Sequence, residues 1–414
     1  MNKKCTLLLI AFAFAGLVDG FAQTTTLPNK EISTSSGLEK IKDLIIYKDS
    51  LFYSAFPSVV KRPDGEILVA FRRAPDRRLF GEQGISHTDP NSYLVMVRSK
   101  NGETWTQNPE LIFANPFGGS QDPCLLQLRD GTLICSSYTW AAIRSDADSL
   151  LHRNISVVKT NKKYATAFAF LGGYILRSAD GGHRWSEPIY PPEVPGDLRQ
   201  NVWGNPLPAY NRGAICEEKN GKLYWAVASK DPDVASKTSV HLMISENKGL
   251  DWKYESLIAT DPTIEFNETS MYETPKGDLV AFIRTESGNQ QSYISRSTNG
   301  GKSFQLENMG FYGYPLHALR LPDNRVLLTY GYRHVPYGIR ARILNAECTD
   351  YATAPEFIIR EDGSASDLGY SWSVMLDKNR VLVVYYFNSK SGIRYIAGTI
   401  LKLKFFIGGG SYKY

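Results

Sequence analysis

Residues 57–71 read Pro57-Ser58-Val59-Val60-Lys61-Arg62-Pro63-Asp64-Gly65-Glu66-Ile67-Leu68-Val69-Ala70-Phe71: an apolar run, a two-residue Asp-Gly turn and a second run closing on an aromatic. Such pairs favour the positive φ of tight hairpin turns, and β-branched runs on either side mark paired strands. The pattern recurs around Asp130-Gly131, Asn220-Gly221, Lys276-Gly277, Asp323-Asn324 and Lys378-Asn379, which makes six hairpins along the chain.

A second motif alternates with the hairpins. Ser178 to Trp185 fits S-x-D-x-G-x-x-W in full, and Ser245 to Trp252 fits with Asn247 in the Asp place. Ser297 to Phe304 replaces both Asp and Trp, and Ser99 to Trp105 is one residue short. Each follows a strand-like run and suits a turn whose side chains bond their own backbone, pinned by an aromatic. Six hairpins, each followed by a further strand pair and with no long amphipathic helix, predict an all-β six-bladed propeller of four-stranded antiparallel blades. The 392 residues from Gln23 to Tyr414 allow about 65 per blade, against ~40–45 in a compact one. Extra length after Phe71, after Tyr138 and between Trp185 and Arg212 is therefore expected to wall a pocket. The run Leu44 to Tyr47 is expected to pair with Tyr395 to Leu403, closing the ring and removing two exposed edges.

With 43% apolar and 21% charged residues, 34 Gly and 21 Pro among 414, the composition excludes a disordered, collagen-like or coiled-coil protein. Residues 1–22 carry Lys3 and Lys4, an apolar run from Leu7 to Val18 and small residues up to Ala22, the pattern of a secretory signal. Residues 23–40 follow as a polar leader and 41–414 as the propeller. The net charge of +5 does not point to nucleic acid or an anionic membrane. No later stretch approaches the ~18 consecutive apolar residues of a membrane span. The protein is expected to be exported, periplasmic or extracellular, and monomeric. Cys124, Cys135, Cys216 and Cys348 are expected to be free and buried, because a chain of this size needs no staples. Cys124 and Cys135 share one hairpin, where a common face would permit a disulfide.

Propeller ligands bind at the mouth of the central channel, where the innermost strands begin. Eight places before the six turns stand Phe56, Asp122, Arg212, Glu268, Pro315 and Tyr370, and eight places after two of them stand Arg72 and Arg284. Three charges and a phenol at the starts of apolar strands are costly unless paired or used. A solvated strand end is the alternative for any one of them.

Together these residues give the chain a resemblance to the sialidase (neuraminidase) superfamily, BNR or Asp-box propeller glycosidases, across nearly all of the expected mature protein. Phe266-Asn267-Glu268 followed by Phe282-Ile283-Arg284 resembles the stretch holding the glutamate that pairs with the nucleophile and the second arginine of a carboxylate-binding triad. Gly338-Ile339-Arg340 resembles the segment of the third arginine, and Gly369-Tyr370-Ser371 that of the nucleophilic tyrosine. His87-Thr88-Asp89 sits where sialidases place the acid/base aspartate. In place of Arg-Ile-Pro in the first blade the chain has Ala55-Phe56-Pro57, so Arg72, Arg73 and Arg212 are the candidates for the missing charge.

The resemblance implies a secreted retaining exo-glycosidase that removes a terminal sialic acid or related sugar acid from glycans. Tyr370 would attack, Glu268 would take its proton, and Asp89 would protonate the leaving oxygen and then activate water. Arg284 and Arg340 would hold the carboxylate, with Arg72 and Arg212 near it. Asp122 would bind a sugar hydroxyl or bond the neighbouring blade. His87 and His317 are expected as hydrogen-bonding lining residues, with no metal and no cofactor, since no partner stands at ligand spacing. Two other functions fit the same residues: a glycosidase for another sugar, such as arabinose, and a non-catalytic carbohydrate-binding propeller.

Overall fold

The computed structural model describes residues 37–81, 88–144, 146, 155, 157–161, 166–230, 237–288 and 290–404. The expected signal segment 1–22, the leader as far as residue 36, and His87 lie outside the described residues.

Six antiparallel sheets follow one another along the chain and form a six-bladed propeller. Blade 1 holds Phe52–Lys61, Ile67–Pro75, Tyr93–Ser99 and Glu110–Phe113, from the axis outward. Blade 3 holds Cys216–Glu217, Leu223–Lys230, Thr238–Ser245 and Lys253–Ala259. Blade 4 holds Phe266–Glu273, Leu279–Thr285, Tyr293–Ser297 and Gln305–Asn308, and blade 5 holds Tyr314–Arg320, Val326–Tyr332, Gly338–Leu344 and Glu356–Arg360. Blade 6 takes Gly369–Met375, Arg380–Asn388 and Arg394–Leu403, and its outermost strand is Leu38–Tyr47 from the other end of the described chain. Leu44 pairs with Gly398 and Tyr47 with Ile396, the closure expected from sequence. That strand begins at Leu38, inside the stretch assigned to the leader, because its early residues also find partners, Leu38 opposite Leu403.

Blade 2 departs from the pattern. Its inner strand is split into Gly119–Ser120 and Cys124–Gln127, its next two strands, Leu133–Arg144 and Thr166–Ser178, are long, and Val157–Asn161 pairs on the extension of the latter. Its outer strand shrinks to one bridge between Ile175 and Ile189, after which the chain leaves the sheet.

The hairpin turns are one residue longer than the two-residue turns expected. The Arg62 amide donates to the Glu66 carbonyl at 2.8 Å and the Gly65 amide to Arg62 at 2.9 Å, leaving residues 63–65 as the loop. Gly65, Gly131, Gly221 and Gly277 take φ of +90°, +94°, +88° and +93°. This is a type I turn ending in a left-handed residue, where glycine carries no Cβ penalty. The serine turns also bond as expected. Gly182 N donates to Ser178 Oγ (2.9 Å), Arg184 N to Asp180 Oδ1 (2.9 Å) and Trp185 Nε1 to the Gly182 carbonyl (3.1 Å), with the same arrangement at Ser245, Asn247 and Trp252.

All four described cysteines are free. Cys124 pairs with Ser136 and Cys135 with Leu125, so the two thiols stand on opposite faces of the hairpin and not on the common face expected. With side chains alternating at period 2, a one-residue offset separates them. Among the described residues no helix is long and apolar enough to cross a membrane.

Candidate active site

Five of the six inner strands break where the sequence places a ring residue, and in blade 3 Arg212 lies just ahead of the inner strand. In blade 1 the register passes from Ala55↔Arg72 to Ser58↔Ala70, leaving Phe56 and Pro57 outside the ladder. Asn267 and Glu268 are left out between Phe266↔Thr285 and Thr269↔Ile283, and Tyr370 and Ser371 between Gly369↔Tyr386 and Trp372↔Val384. Pro315 escapes in the same way, and Asp122 lies in the split of blade 2. A bulge turns a side chain out of the alternation of its strand, which is how apolar strands deliver polar groups to the channel mouth. Phe56 and Tyr370 take φ of +58° and +55°, a conformation costly for a bulky residue and held only where the surroundings over-determine it.

Around these breaks lies a cavity of about 330 Å³ lined by Glu268, Tyr370, Arg212 and Arg284, with Arg333, Tyr138, Tyr210, Tyr386 and Asp367 around them. The Tyr370 hydroxyl donates to Glu268 Oε1 at 2.5 Å. Arg284 Nη1 donates to that same hydroxyl at 3.1 Å and also bonds Glu268 Oε2. Arg284 Nη2 meets Glu286 at 2.5 Å. Burial and the charge of Glu268 hold the Tyr370 phenol well above its ordinary pKa, against the opposing pull of Arg284. Burial alone would raise Glu268, but Arg284 and Arg212 outweigh it and keep the carboxyl below its ordinary range. The resting pair is therefore a neutral phenol on a carboxylate.

The remaining ring residues surround this pair. The Arg212 guanidinium lies over the Tyr370 ring (4.7 Å) and donates to the carbonyls of Pro57 (3.1 Å) and Tyr370 (3.4 Å). Asp122 is fully buried and accepts from the Tyr138 hydroxyl at 3.1 Å. Burial and the charge of Glu268 push its pKa up to about 7, against Arg212 and Arg72. Arg72 is wholly buried, and none of its three guanidinium nitrogens has a hydrogen-bond partner. It lies over the rings of Tyr53 (5.5 Å) and Phe56 (5.9 Å) and does not line the cavity as expected. Arg73 points away from it, to Asp49 and the Tyr93 hydroxyl, each at 2.8 Å. His317 stacks on Trp372 at 4.6 Å and does not line the cavity; burial and Arg212 push its pKa down to about 3.

Of the eight expected site residues, Glu268, Tyr370, Arg212 and Arg284 line the cavity; Asp122 and Arg72 are buried outside its lining, and Asp89 and Arg340 are held by other partners. Asp89 is buried in a two-bond pair with Arg77, Nε to Oδ2 at 2.7 Å and Nη2 to Oδ1 at 3.0 Å. Arg340 belongs to the third strand of blade 5, between Tyr330 and Ile358 on its neighbours, one strand further from the axis than the cavity-lining positions. Its guanidinium bonds the Arg360 carbonyl at 2.5 Å and lies over Tyr332. The third arginine lining the cavity is Arg333, just past the second strand of blade 5, 5.4 Å from the Tyr370 ring. It donates to the Leu368 carbonyl (3.1 Å) and the Tyr386 hydroxyl (3.0 Å). The signal for it was present: eight places after the turns stand not only Arg72 and Arg284 but also Tyr138, Ala228 and Tyr386, all three of which line the cavity, and Arg333 follows ten after Asp323. Among the described residues no group of three or more His, Cys, Asp or Glu could hold a metal ion.

Residues 154–375 match the family model of the BNR repeat-like domain. A protein of unknown function from Dyadobacter fermentans DSM 18053 has a similar solved structure, 57% identical, with a TM-score of 0.85, over 89% of this chain and 100% of that one. The fold is also similar to the Hadza microbial sialidase Hz136, at 16% identity and TM-score 0.59, over 85% of this chain and 66% of that one. It is similar to the NanB sialidase from Streptococcus pneumoniae at 13% identity and TM-score 0.58, over 88% and 70%. No curated protein matches the chain.

Proposed function

The chain belongs to the BNR repeat-like domain family, and from that premise we propose that it is a retaining exo-glycosidase acting on a terminal sugar acid with Tyr370 as nucleophile. The observation that carries the proposal is the Tyr370 hydroxyl on Glu268, with Arg284 donating to both. As the phenol oxygen attacks the anomeric carbon, its proton passes to Glu268, whose charge is neutralised, while Arg284 holds the phenol oxygen and the carboxyl in place. A phenol suits an anomeric carbon that bears a carboxylate, because a carboxylate nucleophile would be repelled by it. Arg333 lines the cavity with Arg284 and would meet that carboxylate, while the buried Arg72 guanidinium, without a hydrogen-bond partner, adds positive charge near Asp122 from outside the lining. The leaving oxygen takes its proton from Asp89, which must first leave Arg77 and bind a proton from solvent. Export is part of the same proposal, supported by the signal-like pattern of residues 1–22.

A second reading, a non-catalytic propeller that binds sugar acids, is favoured by one observation: both Asp89 carboxylate oxygens are occupied by Arg77. Incubation of the purified protein with a panel of sialosides and related ulosonic-acid glycosides separates the two. The enzyme releases sugar whose first-formed anomer retains configuration, and Tyr370→Phe loses about 10³-fold or more in kcat with KM changed only a few-fold. Tight binding without product from the wild type overturns the proposal in favour of the binding module.

A further inference from the structure

Beside the first cavity lies a second, of about 350 Å³, whose lining contains no charged residue. We propose that it is a binding site for a neutral pyranose, a hexose or N-acetylhexosamine unit of a glycan, separate from the catalytic cavity and not dependent on catalysis there.

Three of its lining residues are large rings left open to solvent: Phe117 at 65%, Tyr190 at 62% and Trp203 at 57% exposure. Single exposed apolar residues are ordinary, but three around one concavity are not. Two of them are held in place. Asn115 Oδ1 accepts from the Phe117 amide at 2.9 Å while Asn115 Nδ2 donates to Thr139 Oγ1 at 3.1 Å. Asn201 Oδ1 accepts from the amides of Trp203 (3.0 Å) and Asn205 (3.2 Å). The Phe117 and Trp203 rings meet edge to face, centroids 5.4 Å apart at 79°, so one flat face stays open beside an edge. An apolar ring face takes the C–H face of a pyranose, and a few polar groups must then meet its hydroxyls. Such groups are among the lining residues: the exposed Asn205, together with Asn115 and Thr139, and the buried Tyr174 hydroxyl behind them beside Ser120, Ser137 and Thr139.

The fold explains why the site is here. Blade 2 gives up its outer strand after Ile189, and the freed segment carries Tyr190, Asn201, Trp203 and Asn205. The partition from the first cavity is a cluster of rings, with Tyr210 4.2 Å from Phe170 and 5.6 Å from Tyr138. Consecutive residues Tyr138 and Thr139 line the first and second cavities respectively.

The test titrates the full-length protein with methyl β-galactopyranoside, methyl β-glucopyranoside, N-acetylglucosamine and lactose, by calorimetry and by saturation transfer from aromatic protons. At least one is expected to bind in the millimolar range or tighter. Trp203→Ala is expected to weaken it 10-fold or more, and Tyr174→Phe, which keeps the ring, a few-fold, with turnover of a small aryl glycoside at the first cavity unchanged. Binding without any turnover in the wild type refutes the catalytic proposal and leaves this site standing. Absence of binding by all four sugars, binding unaffected by Trp203→Ala, or a wild-type dimer that Trp203→Ala separates into monomers overturns it, the last by assigning the surface to a second copy of the chain.

Discussion

Tyr370 combines a left-handed backbone, full burial and a hydroxyl shared between a carboxylate and a guanidinium. Burial and the charge of Glu268 both disfavour ionising the buried Asp122 carboxyl. With Glu268 ionised, the proton stays on Asp122, whose pKa rises to about 7. A carboxyl raised on folding contributes stability that is fully present below its unfolded pKa and lost as pH rises through the folded value. Between about pH 4 and pH 7 the wild type is therefore expected to lose on the order of 2–4 kcal/mol that Asp122→Asn does not lose, since each tenfold difference in proton affinity between folded and unfolded chains is worth about 1.4 kcal/mol. Urea midpoints of both proteins at pH 5 and pH 8 measure this, and parallel changes would refute it. Arginine position gives a second residue-scale prediction. Arg333→Ala should raise KM for acidic substrates about 10-fold or more at a wet site. Arg340→Ala should instead lower thermal stability and leave KM alone, since Arg340 bonds the outer edge of its blade. Equal KM effects would reject that division. The ring residues were legible because the distance from hairpin turn to strand start is nearly constant. Arg333 was less so, because the resemblance implied a third-strand segment, whereas the cavity takes Arg284 and Arg333 from the ends of second strands and Arg212 from ahead of an inner strand. Asp89 illustrates the opposite limit: a sequence marks a carboxylate but not the Arg77 that occupies it.

Strand packing at the axis depends on close backbone approach. The Thr269 amide donates to the Arg212 carbonyl (3.1 Å) and the Met271 amide to that of Ala214 (2.9 Å), which ties the inner edge of blade 3 to that of blade 4. Between them, a Cβ on Gly213 would lie 1.8 Å from the Thr269 carbonyl oxygen. Backbone on both sides cannot yield as a side-chain tip can, so Gly213→Ala is expected to cost roughly 2–4 kcal/mol. It should also reduce turnover by displacing Arg212. A melting temperature within about 2 °C of wild type would contradict the packing account. At this scale the hairpins could be read from turn chemistry, whereas the inner-strand bulges could not. A one-residue slip in register has no composition signature, and the extra residue of the turn, closed by Leu128 and Thr132, set Cys124 and Cys135 on opposite faces.

Across the molecule, the ring closes by pairing Leu38–Tyr47 on Arg394–Leu403, so chain ends far apart in sequence share blade 6. Ile46 is buried in a core shared with Phe71, Leu382 and Ile400. Deleting residues 1–47 would strip that packing and leave a long apolar strand with an open edge, the geometry that recruits other chains. The truncated protein is expected to aggregate or to lose its cooperative unfolding transition in calorimetry, and a monomeric, cooperatively unfolding product would refute the closure role. The six-fold count and the closure were readable because each repeats or terminates a pattern, and the surplus between Trp185 and Arg212 does wall the cavities, whereas no described residue of the surplus after Phe71 lines either one. The dissolved outer strand of blade 2 was visible only as surplus length between Trp185 and Arg212.

The central claim is that Tyr370 forms a covalent bond to the sugar. Intact-mass and peptide mass spectrometry after incubation with a 2,3-difluoro ulosonic acid tests it, because the C3 fluorine slows both formation and breakdown of the glycosyl-enzyme while the readily leaving C2 fluoride keeps formation fast, so that the intermediate builds up. The account predicts one added sugar residue, mapped to the peptide carrying Tyr370 and absent from Tyr370→Phe. Turnover of glycosides with the label on another residue, or undiminished turnover by Tyr370→Phe, would contradict it.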